Sequence, residues 1–215
     1  MDSFSAHQQS GADLGLEPER TALLIVDMLN DFCEPGGAMV LPDADVLYEP
    51  QNRLIGAIRE AGGQVVFVND AHRPGMRRDR EFLKRDAHCI QGTAGAAVVS
   101  ALSQTPQDLT VTKRRYSGFF QTDLDLTLKD MQIDTLIVAG VVTNICVRST
   151  VHDAFFLGYR VAVPEDCVAA TGEREQASSL YDIATHFGWV TRADDVVAAL
   201  TEGVKIRNAE QYLTG

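Results

Sequence analysis

The sequence predicts a single α/β domain: a mainly parallel sheet of about six strands with helices on both faces, in a three-layer, Rossmann-like arrangement. Three observations carry this expectation. Short apolar runs of strand length recur along the chain, and most end on a polar residue. Segments with apolar residues at helical spacing lie between them. No linker, repeat or low-complexity tract interrupts the 215 residues, so one domain is the simplest organisation. The domain is assigned to residues 16–200, with polar arms over residues 1–15 and 201–215.

The elements follow in order. Residues 21–26, TALLIV, form a continuous apolar run that reads as a buried parallel strand and stops at Asp27. Residues 46–61 carry Leu47, Leu54, Ile55 and Ile58 at helical spacing, and Gly62-Gly63 ends that helix. A second strand, residues 64–68, leads to Asn69-Asp70. Residues 71–93 are a long loop of charge, proline and glycine, a length that is usually functional in a compact domain. A short helix is expected over 94–102 and a third strand over 109–112, running into Lys113. Helix 123–131, strand 134–139, helix 144–157 and strand 159–163 complete the middle. Helix 173–187, strand 189–191 and helix 194–200 close the domain.

Bulk properties exclude several functions. The net charge is −11, which argues against nucleic acid and anionic membranes as partners. No apolar run approaches the roughly eighteen residues of a membrane span. The first residues lack a basic-then-apolar signal pattern, so a cytoplasmic location is expected. The four cysteines form no CxxC pair, so neither a zinc knuckle nor a dithiol redox site is indicated, and each is by default a small buried hydrophobe. No glycine-rich phosphate loop follows any strand.

Ligands in an open parallel sheet bind beyond the carboxyl ends of the strands. The residues there are Asp27, then Asp70 and His72, then Lys113, then the turn GVVTNIC with Cys146. Cys146 falls in the first turn of a helix, where unpaired N–H groups and the positive end of the macrodipole favour a thiolate and a lowered pKa. The same N–H groups suit an oxyanion. Asp27 beside such a thiol can take its proton and return it to a leaving amine. Lys113 favours both anions. Asp70, His72 and His88 supply a carboxylate and two imidazoles, a set able to hold one divalent metal such as zinc; the other reading is ordinary loop structure. Arg77, Arg78 and Arg80 read as solvated charge. Of Tyr116, Phe119 and Phe120, two are expected to pack and one to line the site.

The segments ALLIVDMLNDF, VNDAHRPG, HCIQGTAGA, TKRRYSGFFQTDLDLTL and AGVVTNICVRSTVHDAFFLGYRV, in this order, resemble the isochorismatase-like cysteine hydrolase superfamily over about residues 21–197. The resemblance implies a catalytic Asp27, Lys113 and Cys146. It also implies a cis peptide between Val141 and Val142, which aims the Val142 N–H, with that of Cys146, at an oxyanion. The implied reaction is hydrolysis of an amide-type C–N bond in a small molecule through a thioester, nicotinamidase-like, with Asp70, His72 and His88 holding a metal. The chain departs from that branch in one respect: Lys84-Arg85-Asp86-Ala87, with no aromatic, precede His88. Phe32 can wall the pocket, whereas Arg85 suits a carboxylate. N-carbamoyl or ureido acids are therefore the alternative substrates, and a non-catalytic binding protein on the same fold is the alternative of a different class. The resemblance further implies a homo-oligomer.

Overall fold

The computed structural model describes residues 12–213, so most of the expected N-terminal arm lies outside the described residues. The strands are β1 (Thr21–Val26), β2 (Gln64–Asp70), β3 (Leu109–Lys113), β4 (Thr135–Val141), β5 (Arg160–Pro164), β6 (Val168–Ala169) and β7 (Trp189–Thr191). The helices are α1 (Asn30–Cys33), α2 (Tyr48–Ala61), α3 (Leu124–Asp130), α4 (Arg148–Phe156), α5 (Glu173–Asp182) and α6 (Ala193–Glu202). All strand pairs are parallel, in the order β3-β2-β1-β4-β5-β7, with the two-residue β6 beside β4.

Period-two alternation sorts each strand between two cores. Leu23 and Ile25 of β1 meet Leu54, Ile55 and Ile58 of α2 and Val196 of α6. Leu24 and Val26 meet Leu124 and Leu128 of α3 and Val151 of α4. Every residue of β1 is buried, which explains why it reads as a continuous apolar run. Burying each Leu or Ile side chain contributes roughly 1.5–3 kcal/mol. From β1 the chain proceeds to β2 and β3 on one side, then returns to β4 on the other. The carboxyl ends of β1 and β4 therefore flank a topological switch point, where a crevice opens.

β1 and β4 approach closely at Gly140, which has φ 116°; a Cβ there would sit 2.0 Å from the Val26 carbonyl oxygen. Gly140→Ala is expected to destabilise the fold by about 3 kcal/mol, through both the overlap and the left-handed backbone. Urea unfolding checks this, and a loss below about 1 kcal/mol would show that the strands can separate freely there.

Three expectations are corrected. Residues 94–102 form no helix beyond the 3-10 turn Ala94–Ala96; Val98 instead pairs with Leu29 in an antiparallel bridge, and Val99 and Leu102 enter the core. The cause is local: Asn30 Nδ2 donates to the Ala94 carbonyl, and the Asp31 carboxylate sits where a Cβ on Gly95 would lie. The helices expected over 144–157 and 173–187 each contain a π turn, at Thr143–Val147 and Ile183–Phe187. Residues 201–213 do not behave as a free arm. α6 runs to Glu202, Ile206 is buried and exchanges two backbone hydrogen bonds with Leu14, and Asn208 bonds to Val190 and Ala184. Ile206 in one core and Ala209, Tyr212 and Leu213 against the other dock the stretch.

Candidate active site

Asp27, the residue after β1, has φ 53° and is fully buried. Lys113 closes β3 opposite Asp70 in the register, and it too is fully buried. Its ammonium reaches across the end of β2 to lie 2.7 Å from Asp27 Oδ2 and 3.7 Å from Cys146 Sγ. The Asp70 N–H donates to Asp27 Oδ1 at 2.7 Å, which fixes the carboxylate from its other side. Cys146 sits in the π turn after β4, where Thr150 Oγ1 donates to its carbonyl and accepts the N–H of Gly118. The Val141–Val142 peptide is cis, as the resemblance implies. The three strand ends thus deliver an acid, a cation and a thiol to one point.

The electrostatics overturn one expectation. Burial pushes the Cys146 thiol well above its ordinary value, and the carboxylate of Asp27 adds to this; Lys113 opposes both. Burial thus favours a resting thiol over the thiolate expected at a helix end. Burial also pushes Asp27 up against the pull of Lys113. Lys113 is raised despite burial by the charges of Asp27, Cys146 and Asp70. A protonated thiol beside a buried carboxylate is an arrangement for proton transfer on demand.

A cavity of about 320 Å3 opens over Cys146. Phe32, Arg85, Tyr116 and Val142 all line it, so every substrate-contacting residue expected from sequence faces the same space. Met39 to Pro42, Ile145 and Thr171 complete the walls and were not foreseen. Phe119 packs on Tyr159, while Phe120 is exposed rather than packed.

Asp70, His72 and His88 do come together, joined by Glu81, with one ligand atom of each within 4.8 Å of the others. The donor chemistry fits a divalent cation. His72 Nδ1 is 2.8 Å from Asp79 Oδ2, and His88 Nδ1 donates to the Asp86 carbonyl at 2.7 Å. Both Nε2 atoms then face Asp70 Oδ2, at 3.1 and 3.7 Å. Asp70 Oδ1 and Glu81 Oε1 are buried without hydrogen-bond partners. Two nitrogens and two carboxylates pointing at one another are a set that a cation would satisfy. Burial lowers the His72 pKa, but Asp70 and Asp79 outweigh it and push it up to about 9. Phe82 packs on both imidazoles, its ring 4.5 Å from that of His72 and 5.5 Å from that of His88.

The isochorismatase domain family model matches residues 21–195. The ureidoacrylate amidohydrolase RutB of Pantoea ananatis is 33% identical over 88% of this chain and 86% of its own. The N-carbamoylsarcosine amidase of Thermoplasma acidophilum superposes with a TM-score of 0.73 at 34% identity, over 81% of this chain and 97% of that one. The pyrazinamidase of Pyrococcus horikoshii in complex with zinc does so with a TM-score of 0.75 at 29% identity, over 80% and 99%. With its sheet, its cis turn and its strand-end acid, lysine and cysteine, the chain belongs to the isochorismatase family.

Proposed function

We propose that this protein is a cysteine-dependent amidohydrolase that cleaves an amide-type C–N bond of a small molecule. One observation carries the reading: a buried Asp27–Lys113 pair in contact with a thiol at the floor of a cavity. Asp27 takes the thiol proton as Cys146 Sγ attacks the carboxamide carbon. The backbone N–H groups of Val142 and Cys146 receive the oxyanion. Asp27 then passes the proton to the leaving nitrogen, the C–N bond breaks, and a thioester remains. Water, deprotonated by Asp27, attacks the thioester and releases the acid, and the proton returns to sulfur. Lys113 stays charged throughout and holds Asp27 against Cys146. A divalent cation on Asp70, His72, Glu81 and His88 would supply a Lewis-acid anchor for an electron-pair donor of the substrate.

That donor set, with Phe32 on the cavity wall and its ring 5.4 Å from that of His88, supports a nicotinamide-like amide. Arg85 on the cavity wall and the likeness to RutB support the second reading, a ureido or N-carbamoyl acid. Ammonia release from nicotinamide, pyrazinamide and several ureido acids, with and without a chelator, separates them. Chelator-sensitive turnover of nicotinamide supports the first, and turnover confined to ureido acids supports the second. No release from any of them counts against an amidohydrolase and for a binding protein.

The proton role of Asp27 has a pH signature. Burial raises its pKa, so the acid limb of kcat/KM is expected above the ordinary aspartate value of about 3.9. A limb at or below that value removes Asp27 as the base. Four free, buried cysteines support a reducing, cytoplasmic setting. Exposed Phe155, Phe156 and Leu157 at the end of α4 support a homo-oligomer, which light scattering tests; a monomer at all concentrations would refute it.

A further inference from the structure

The loop between β2 and β3 carries five charged side chains in the nine residues from Arg77 to Arg85 other than two that behave differently from the rest. Arg77, Arg78, Arg80, Lys84 and Arg85 are exposed, while Asp79 and Glu81 are buried. An isolated buried carboxylate is costly, so each needs a reason to be inside. Glu81 is one of the four groups converging on the candidate cation site. Asp79 is not, yet its Oδ2 lies 2.8 Å from Nδ1 of His72, a member of that site. Its second oxygen accepts the N–H of Glu81 at 3.0 Å. One carboxylate therefore grips two of the four converging side chains, one through its ring and one through its backbone.

We infer that Asp79 is a positioning residue for the cation site, holding His72 through a proton on Nδ1 so that Nε2 is the nitrogen turned toward Asp70 and left to a cation. An ionised carboxylate only accepts, so its partner nitrogen must carry hydrogen. Nε2 faces Asp70 across 3.1 Å and in metal-free protein shares a proton with it; a cation entering between them displaces that proton, while the Nδ1 proton stays on Asp79. His88 reaches the same state through the Asp86 carbonyl, so both imidazoles are set alike by groups outside the cluster. Arg115, whose Nη1 lies 3.9 Å from Asp79 Oδ1 and 4.0 Å from Glu81 Oε1, offsets part of the negative charge without entering the site. Outer carboxylates of this kind are typically worth about 10–100-fold in metal affinity.

The inference rests on the cation reading above, and its test reads binding rather than turnover. Metal-free protein is titrated calorimetrically with Zn2+ and with Mn2+, on the Cys146→Ala background so that sulfur contributes nothing. Asp79→Asn keeps the shape and an acceptor oxygen but removes the charge; it is expected to weaken Zn2+ binding about 10-fold, and Asp79→Ala about 100-fold. The nitrogen-15 resonances of His72 in metal-free protein report its Nδ1 proton directly, and they are expected to change in both variants whereas those of His88 are kept. Arg78→Gln, exposed on the same loop, is expected to bind as the parent does. Folded Asp79→Asn that keeps the parent affinity and the His72 resonances overturns the role. Absence of Zn2+ and Mn2+ binding in the parent overturns it as well, while ammonia release by the unmodified enzyme would still stand for the thiol chemistry.

Discussion

Cys146→Ala is expected to lower kcat for amide hydrolysis by about 10⁴-fold or more while the unfolding midpoint stays close to that of the parent. The size follows from the role. Cys146 is the nucleophile of both half-reactions, so without sulfur no thioester forms, and what remains is binding and oxyanion stabilisation acting on water. The fold is spared because the side chain lies at the cavity floor, and loss of one small sulfur costs little packing there. Steady-state ammonia release and thermal unfolding, measured on the same preparations, decide the matter. A variant that retains more than a tenth of parental turnover would sink the thioester scheme. Cys146→Ser is a useful companion: a hydroxyl in the same place needs a stronger base than Asp27 to ionise, so it too is expected to be nearly inert.

Lys113→Met should have the largest effect on stability, about 3–5 kcal/mol at neutral pH, because it leaves Asp27 ionised, buried and unpaired. Methionine fills most of the lysine volume, so the loss measures charge rather than a cavity. The sign of its pH dependence follows. With the ammonium gone, burial raises Asp27 further above its unfolded value. A carboxyl with a raised folded pKa favours the folded state when protonated, and that advantage is lost as pH rises through the folded pKa. The destabilisation should therefore be small in acid and grow toward neutrality. Removing both charges, as Lys113→Met with Asp27→Leu, is expected to restore most of the stability and none of the activity. Urea unfolding between pH 4 and 8 tests all of this. A single variant within about 1 kcal/mol of the parent across that range would mean that water, not Lys113, solvates Asp27.

Much of the site was legible because strand ends are legible. TALLIV stops at Asp27 for a reason any apolar run shows, and the same logic marked Asp70, Lys113 and the turn before Cys146. Parallel topology then does the gathering, so residues 43 and 33 positions apart meet without any local signal. Other features left no trace in the pattern. Asp79 and Glu81 are written in the same charged stretch as Arg77, Arg78 and Arg80, and only contact with His72 and its neighbours separates them. β6 is two residues long and shows no period. The apolar stretch after Gly95 reads as a helix, but Asp31 and Asn30 pin its start in another shape. The acidity of Cys146 was misjudged because a helix end is visible in sequence and the depth of burial is not.

The parts of this site are unequally easy to replace. Asp27, Lys113 and Cys146 sit on the ends of sheet strands or in the turn that follows one. Glu81, Arg85 and His88, together with the supporting Asp79, Phe82 and Asp86, all belong to one connection between β2 and β3. Bond-breaking is thus inherited with the scaffold, and the charged and metal-ligating part of the choice of what to break lies largely on a single stretch of loop. A lineage could trade that stretch and acquire a new diet while keeping its cutting edge, and a protein engineer could do the same in one cloning step.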